Sequence, residues 1–127
     1  MTMRVPGQQW TRDVNVEDFD SRVLAASRQR PVLVDFWAEW CSPCLVIAPV
    51  LARVVEDHAG ALELAKVEVD VGENMKLAGR YRVRGFPTVI LFRQGEEQGR
   101  FSGAQSAPRI RHFVEQRGSI SPHFSPR

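Results

Sequence analysis

The chain has 127 residues with a formal net charge of +2, and 43% of its residues are hydrophobic while 25% are charged. This length suits one domain with a substantial core, and the composition is that of an ordinary soluble globular protein. The small net charge, with no basic run interleaved with aromatic residues, argues against a nucleic-acid-binding protein.

The first part of the chain contains weak structural signals. Residues 1–9 are predicted to be a flexible segment, and a short strand is predicted near Trp10–Val14. Asn15 is a candidate helix N-cap, with Asp18 three residues later in a weak form of the capping box. Apolar residues at helical spacing then continue to about Ser27, which predicts a helix before the turn that ends at Pro31.

The central stretch, from Val32 to Cys44, is the most informative part of the sequence. A continuous apolar run predicts a strand that is covered on both faces: Val32, Leu33, Val34 and Phe36. Asp35 interrupts this run, and a carboxylate there is costly unless it is protonated, paired or needed. Just past the strand, Cys41 and Cys44 are spaced to close a small disulfide ring that another thiolate can reopen.

After the cysteines the pattern predicts a helix that begins at Ser42 or Pro43 and ends near His58. Proline suits the first helical turn, where its missing N–H costs nothing. Pro49 lies inside the helix and is expected to kink it. A third strand is predicted over Leu62–Asp70.

The remaining elements complete an alternation of strands and helices. They are a short helix over Glu73–Tyr81, two hairpin strands over Thr88–Arg93 and Glu97–Ser102 joined by a turn at Gln94-Gly95-Glu96, and a last helix capped by Ser106. This order predicts an α/β fold with a mixed sheet and helices on both faces. We assign one domain to residues 10–117, and we expect the tail 118–127, rich in serine and proline, to be disordered.

The cysteine and histidine content limits the chemistry. The two cysteines, Cys41 and Cys44, leave no further pair for a structural disulfide. His58, His112 and His123 are scattered without metal-ligand spacing, so we expect no metal. Met1–Trp10 has no apolar h-region and no long hydrophobic span follows, so we expect no membrane insertion and a cytoplasmic location.

A set of motifs follows in order along the chain, from about Val14 to Gln116: Asp35, Trp37-Ala-Glu-Trp40, Cys41 and Cys44, Pro49, Val67-Glu-Val-Asp70, Gly85-Phe-Pro-Thr88, Val89-Ile-Leu-Phe92 and Gly103. These motifs resemble those of the thioredoxin family. The complete set is a specific signal, whereas the cysteine pair alone is a weak one. The resemblance implies the thioredoxin fold, a central mixed sheet of about five strands flanked by about four helices.

The two cysteines are expected to have different roles. Cys41 lies at the start of the predicted helix, where backbone N–H groups and the macrodipole favour a thiolate, so we expect it to be the attacking group. Cys44 lies about one turn further in and is expected to be more buried. It would resolve the mixed disulfide by attacking Cys41.

Asp35 and Lys66 are the other candidate catalytic residues. Asp35 is interpreted as a buried carboxyl with a raised pKa that takes the proton of Cys44 through a water, and the alternative is a solvent-facing strand residue. The resemblance places the Lys66 ammonium near that carboxyl, and the alternative is a solvated lysine at a strand edge. Trp37 is a core residue, a shield for the Asp35 region, or both.

The resemblance also implies a substrate-binding rim. Pro87 matches the family's cis-proline, which faces the sulfurs, and Phe86 would offer its backbone to an extended peptide. The expected docking residues are Trp40, Pro43, Gly85, Phe86, Pro87 and Gly103.

Several positions depart from the family pattern or add charge. Ser42 stands where the family most often has glycine, and Leu45 stands where a basic residue is common, so both are expected to tune the redox pair. Arg80, Arg82 and Arg84 precede the proline loop. We interpret them as a solvated face, with a basic rim that selects acidic partners as the alternative.

The function that the resemblance implies is thiol–disulfide exchange that reduces protein disulfides. The implied partners are client proteins and thioredoxin reductase, which would supply electrons from NADPH. We expect no bound cofactor, since the redox-active group would be the Cys41–Cys44 disulfide, and we expect a monomer. Two alternatives stay open: a dedicated disulfide donor or isomerase for one client, and a chaperone or assembly module that uses the fold without turnover.

Overall fold

The strands form one mixed sheet in the order β1-β3-β2-β4-β5: β1 Thr11–Asp13, β2 Val32–Trp37, β3 Glu63–Glu68, β4 Thr88–Arg93 and β5 Glu96–Ser102. The computed structural model describes residues 9–122. Strand β3 is parallel to both β1 and β2, whereas β4 is antiparallel to both β2 and β5. The predicted mixed sheet is therefore confirmed. Its central strand, β2, ends just before the cysteine loop, so this loop lies in the middle of one end of the sheet.

Helices cover both faces of this sheet. Within residues 9–122 there are three α-helices, α1 Ser42–Asp57, α2 Met75–Arg80 and α3 Ala107–Arg117. A further helical segment combines a π-helical stretch, Asp20–Ala25, with a 3-10 turn, Ala26–Arg28. Helices α1 and α3 pack on one face, while the π-helical stretch and α2 pack on the other.

Alternation along β2 explains its continuous apolar run. Leu33 packs in the cluster formed with α1 and α3, whereas Val34 and Phe36 pack in the cluster on the opposite face. Both faces of β2 are therefore buried, as predicted. By the same alternation, Asp35 lies on the Leu33 face of the sheet, the face covered by α1.

Two local predictions are confirmed by the backbone. The β4–β5 hairpin turns through Gln94 and Gly95, whose φ values of 56° and 78° are those of a type I′ turn, which favours glycine at the second position. At the start of α3, the Oγ of Ser106 accepts the N–H of Arg109 at 3.4 Å. Helix α1 continues through Pro49.

The predicted N-cap at Asn15 is wrong. The helical segment begins at Asp20 and has no side-chain cap. The Asn15 side chain instead accepts a hydrogen bond from Nδ2 of Asn74 at 2.9 Å, across 59 positions of sequence. One of the two hydrogen bonds of a capping box is present, because the Asp18 carboxylate accepts the N–H of Asn15 at 2.8 Å.

The packed chain continues beyond Arg117. The N–H of Ile120 donates to the carbonyl of Glu115 at 3.0 Å, and the Ile120 side chain packs against the α1–α3 cluster. Most of the predicted flexible segment 1–9, and residues 123–127 of the predicted tail, lie outside the described residues. Between residues 9 and 122, no helix combines the length and apolar character needed to cross a bilayer.

Candidate active site

The cysteine loop joins the end of β2 to the start of α1. Cys41 has extended backbone dihedrals and is the N-cap of α1, and its Sγ accepts the N–H of Cys44 at 3.2 Å. The two cysteines form a disulfide with Cα atoms 5.3 Å apart. The sulfur of Cys41 thus occupies the position where a helix N-terminus stabilises negative charge.

The residues between the two cysteines lie on the surface. Ser42 and Pro43 are the first two residues of α1, and both are exposed, as is Leu45 in the same turn. Pro43 fits this position because the first N–H groups of a helix have no intrahelical acceptor. Cys41 is 6% exposed and Cys44 is 1% exposed, so the order of exposure agrees with the predicted roles.

Asp35 is a buried carboxyl group. It is 1% exposed, and its Oδ1 has no hydrogen-bond partner among the described residues. Burial raises the pKa of Asp35 to about 7, although the charge of Lys66 opposes this rise. The interpretation of Asp35 as a solvent-facing strand residue is therefore wrong.

Lys66 lies beside Asp35 in the sheet. The two residues are Cα partners across β2 and β3, but their side chains do not form a contact ion pair. The Lys66 ammonium instead lies 4.9 Å from the ring centroid of Trp37, in a cation–π arrangement. Lys66 is half-buried, so it is not a fully solvated lysine at a strand edge.

Trp37 is partly buried and packs as a core residue, which is one of its two predicted roles. Its ring packs against the core cluster, and it carries the Lys66 ammonium on one side. Its Nε1 is buried without a hydrogen-bond partner among the described residues. A buried N–H without a partner is costly in an apolar core.

Trp40 forms one wall of the rim around the cysteines. Its side chain is 67% exposed, an unusual state for so large an apolar surface. Two contacts hold it: Nε1 donates to Oδ2 of Asp70 at 2.8 Å, and the ring meets that of Phe86 edge-to-face with centroids 5.8 Å apart. The Trp40 ring is thus positioned although it is exposed.

The loop before β4 forms the opposite wall. The Phe86–Pro87 peptide bond is cis, and the Pro87 carbonyl accepts the N–H of Gly103 at 2.9 Å. The Thr88 hydroxyl donates to the carbonyl of Gly85 at 2.6 Å. The backbone of Phe86 makes no hydrogen bond with the described residues, so its N–H and C=O are free to pair with an added strand.

Two of these residues leave room for such a strand. A Cβ placed on Gly85 or Gly103 would meet no atom within 4 Å. Both positions therefore face open space beside the Phe86 backbone. The structure brings the predicted rim residues Trp40, Phe86, Pro87 and Gly103 into contact in pairs, whereas Pro43 is exposed on α1.

Asp70 and Asn74 were not identified as functional residues from the sequence. Asn74 is 1% exposed and joins three segments, because its Oδ1 accepts the N–H of Val16 while its Nδ2 donates to Asn15 and to the Glu68 carbonyl. It thereby fixes the loop that carries Asp70. One signal for Asp70 was present, because polar residues just past a parallel strand often lie at functional sites.

No cluster of three or more metal-ligating side chains occurs between residues 9 and 122. The site contains a helix-capping cysteine, its disulfide partner, a buried carboxyl group in the adjoining strand and an exposed rim. This combination defines a thiol–disulfide oxidoreductase.

Comparison with known proteins agrees with this class. The family model described as Thioredoxin matches residues 11–116, and the chain belongs to the thioredoxin family. It is 44% identical over 104 residues to a thioredoxin of Pseudomonas aeruginosa, covering 80% of this chain and 93% of the relative. It is 40% identical over 102 residues to a thioredoxin of Acidithiobacillus ferridurans, covering 80% and 91%. A thioredoxin of Mycolicibacterium smegmatis is 42% identical over 92 residues, covering 72% and 80%.

Proposed function

We propose that the protein reduces the disulfides of client proteins, with Cys41 as the attacking thiolate and Cys44 as the resolving thiol. One observation carries this assignment: the Cys41 sulfur caps α1 and accepts the N–H of Cys44. In the reduced protein the same N–H and the helix dipole favour a thiolate on Cys41. Cys44 lies one turn inside the helix, so its sulfur does not cap the N-terminus and is not stabilised as a thiolate in this way.

The exchange proceeds in two displacement steps. The Cys41 thiolate forms a bond with one client sulfur, the client disulfide breaks, and the released client thiolate takes up a proton. The Cys44 thiolate then attacks the Cys41 sulfur, closes the Cys41–Cys44 disulfide and releases the second client thiolate, which is also protonated. Two electrons pass from the protein to the client. Thioredoxin reductase would restore the dithiol with two electrons from NADPH.

Asp35 is proposed to accept the proton that Cys44 loses before the second step. A pKa of about 7 keeps the Asp35 carboxyl close to its titration point at neutral pH, where a general base is most effective. Lys66 is proposed to limit this rise, because its positive charge favours the carboxylate. Asp35 lies on the sheet face that α1 covers, and α1 carries Cys44.

The rim is proposed to hold the client segment that contains the disulfide. The free backbone of Phe86 would pair with an extended client chain, and the exposed Trp40 ring would cover its apolar side chains. Gly85 and Gly103 would keep the groove open at its edges. We further propose that the protein works as a cytoplasmic monomer without a bound cofactor.

Insulin reduction tests this function. The protein should accelerate insulin precipitation with dithiothreitol, and should continue with NADPH and a thioredoxin reductase in place of dithiothreitol. The Cys41→Ser variant should be inactive in both assays. A protein that binds reduced clients but accelerates neither reaction would instead be an assembly module. Activity with dithiothreitol alone would favour a dedicated donor or isomerase.

A further inference from the structure

The three arginines before the proline loop, Arg80, Arg82 and Arg84, are all exposed, but they differ in their side-chain contacts. The guanidinium of Arg80 lies 3.4 Å from Oδ1 of Asp20 and 6.0 Å from the ring centroid of Tyr81. Arg82 and Arg84 are both exposed, and neither forms an ion pair or a side-chain hydrogen bond with the described residues. We propose that Arg82 and Arg84 select client segments that carry acidic residues beside their disulfide, an inference that rests on the proposed reductase function.

The backbone around these arginines is held in place. Val83 packs against the core, and its N–H donates to the Ala78 carbonyl at 2.8 Å. The N–H of Arg82 donates to the Gly79 carbonyl at 3.1 Å. With Val83 anchored between them, Arg82 and Arg84 extend into solvent from a fixed backbone, so little backbone entropy is lost when an acidic partner binds.

The conformation of Arg82 is the second observation. Its φ is 55°, in the left-handed region that glycine adopts freely and that costs an arginine conformational energy. This backbone conformation closes the C-terminus of α2, where the N–H of Arg82 bonds to Gly79 and that of Val83 bonds to Ala78, while the Arg82 side chain forms no hydrogen bond or ion pair with the described residues. Glycine suits this position after the end of a helix better than arginine does, so the Arg82 side chain adds nothing to the helix end and its charge is available to a partner.

The charges lie next to the peptide-binding edge. Arg84 precedes Gly85 and Phe86, and the ring of Phe86 lies beside that of Trp40. On the Trp40 side of the rim the charges are negative: Glu39 is exposed and Asp70 holds the Trp40 indole. The rim therefore carries positive charge in the segment before Phe86 and negative charge next to Trp40. A client with acidic residues on the Arg84 side is attracted there, whereas basic residues are repelled.

The selection acts mainly on the rate of encounter. Exposed ion pairs contribute little affinity because water and salt screen them. Charges on a rim instead steer the partner as it approaches, and their loss lowers the association rate at low ionic strength. The selectivity is expected to fade as salt is added.

Two model peptides test the proposal. Each has one intramolecular disulfide, flanked by glutamates in one peptide and by glutamines in the other, and the reduced protein is mixed with each at low and high ionic strength. The Arg82→Gln/Arg84→Gln variant should reduce the glutamate peptide about threefold to tenfold more slowly at low salt, and the glutamine peptide at an unchanged rate. High salt should remove most of the difference.

The matched control is Arg28→Gln/Arg117→Gln. It removes the same charge at the opposite end of the sheet from the cysteines, since Arg28 precedes β2 and Arg117 ends α3. This variant should reduce each of the two peptides at the same rate as the parent protein does. An equal slowing of both peptides by the Arg82/Arg84 variant, or an equal effect of the control, would overturn the proposal.

A parent protein that reduces neither peptide would instead refute the reductase function itself. A third variant tests whether the Arg82 side chain is free. Arg82→Gly should raise the denaturant midpoint, because glycine relieves the left-handed strain, and should also slow reduction of the glutamate peptide. A lower midpoint would show that the Arg82 side chain supports the fold, which would contradict its role as a free cation.

Discussion

Asp35 and Lys66 are Cα partners across the two central parallel strands, yet burial outweighs the lysine charge and raises the pKa of Asp35 to about 7. The ammonium of Lys66 lies over Trp37 and is not in contact with the carboxyl group. The Asp35 carboxylate is thus poorly compensated when it ionises. Ionisation of Asp35 therefore lowers the stability of the folded protein.

Replacing Asp35 with asparagine should stabilise the protein at alkaline pH. The unfolded state loses the Asp35 proton near pH 4, while the folded state keeps it up to about pH 7, so stability falls across this window and the penalty is constant above it. Asp35→Asn removes the penalty, which is on the order of 4 kcal/mol. Denaturant melts at pH 8.5 should therefore show a gain that vanishes near pH 4.

The same variant should release mixed disulfides more slowly, because Cys44 loses its proton acceptor. Asp13→Asn, at an exposed position of β1, is the matched control and should change neither stability nor release. If Asp35→Asn were less stable than the parent protein at pH 8.5 and released mixed disulfides at the same rate, the Asp35 carboxyl would neither destabilise the folded protein nor act as a base.

The elements predicted from the sequence are those with strong local patterns. The apolar run of β2, the proline at the start of α1, and the glycine in the β4–β5 turn all act on neighbouring residues, and each was identified. The strand predicted over Leu62–Asp70 was too long, because pairing with β1 and β2 extends only over Glu63–Glu68. A hydrophobic pattern does not show where a partner strand ends.

The interactions that were missed are long-range. Asn15 looked like a cap because its neighbours fit a capping box, but its side chain contacts Asn74, 59 positions away. The bond between Trp40 and Asp70 spans 30 positions. Local propensity cannot distinguish residues with long-range side-chain contacts from ordinary turn residues, since asparagine and aspartate occur in both roles.

The two cysteines should behave differently in trapping experiments. Cys44→Ser should keep an attacking Cys41 and accumulate mixed disulfides with clients, because the resolving thiol is lost. Cys41→Ser should accumulate few, since Cys44 is 1% exposed and inside the helix. Mass spectrometry of the trapped species would compare the two variants. Preferential trapping through Cys44 would reverse the assignment of roles.

Introducing a cation at Leu45 should make Cys41 more reactive. Leu45 is exposed and lies four residues after Cys41, so it projects from the same side of α1. Leu45→Lys should favour the thiolate and raise the rate of alkylation by iodoacetamide, in the reduced protein at pH 6, about twofold. Val46→Lys is the matched control, because Val46 is also exposed but projects from a different side. Equal rates in the two variants would show that only the net charge matters.

Asp57 links α1 to α3 and should support the fold at neutral pH. Burial alone would raise the pKa of Asp57, but the guanidiniums of Arg111 and Arg53 outweigh it and lower the pKa. Asp57→Asn should therefore cost about 2 kcal/mol at pH 7, since two charge-assisted hydrogen bonds are weakened. The difference should shrink as pH falls below about 4, where Asp57 is protonated in the unfolded state, and should be lost below the lowered pKa of the folded state.

The control for this change is Glu73→Gln, because Glu73 forms an ion pair with Lys76 in which both side chains are exposed. Such a pair contributes at most about 0.5 kcal/mol. Denaturant melts of both variants over pH 3 to 8 would separate the two cases. A cost at Asp57 that does not depend on pH would mean that shape, and not charge, matters there.

Asp70 should position Trp40 for client binding without supporting the fold. The Trp40 indole donates to Asp70 at 2.8 Å, and loss of one exposed hydrogen bond to a charged group is worth about 1 kcal/mol. Asp70→Ala should thus raise the KM for a disulfide peptide about fivefold, with little change in kcat, because the ring loses its orientation and not its chemistry. The 15N–1H signal of the Trp40 indole should shift and exchange faster with solvent. Asp70→Asn retains a hydrogen-bond acceptor and should recover most of the parent KM. If Asp70→Asn instead had the KM of Asp70→Ala, the negative charge of Asp70 would matter more to client binding than its hydrogen bond to Trp40.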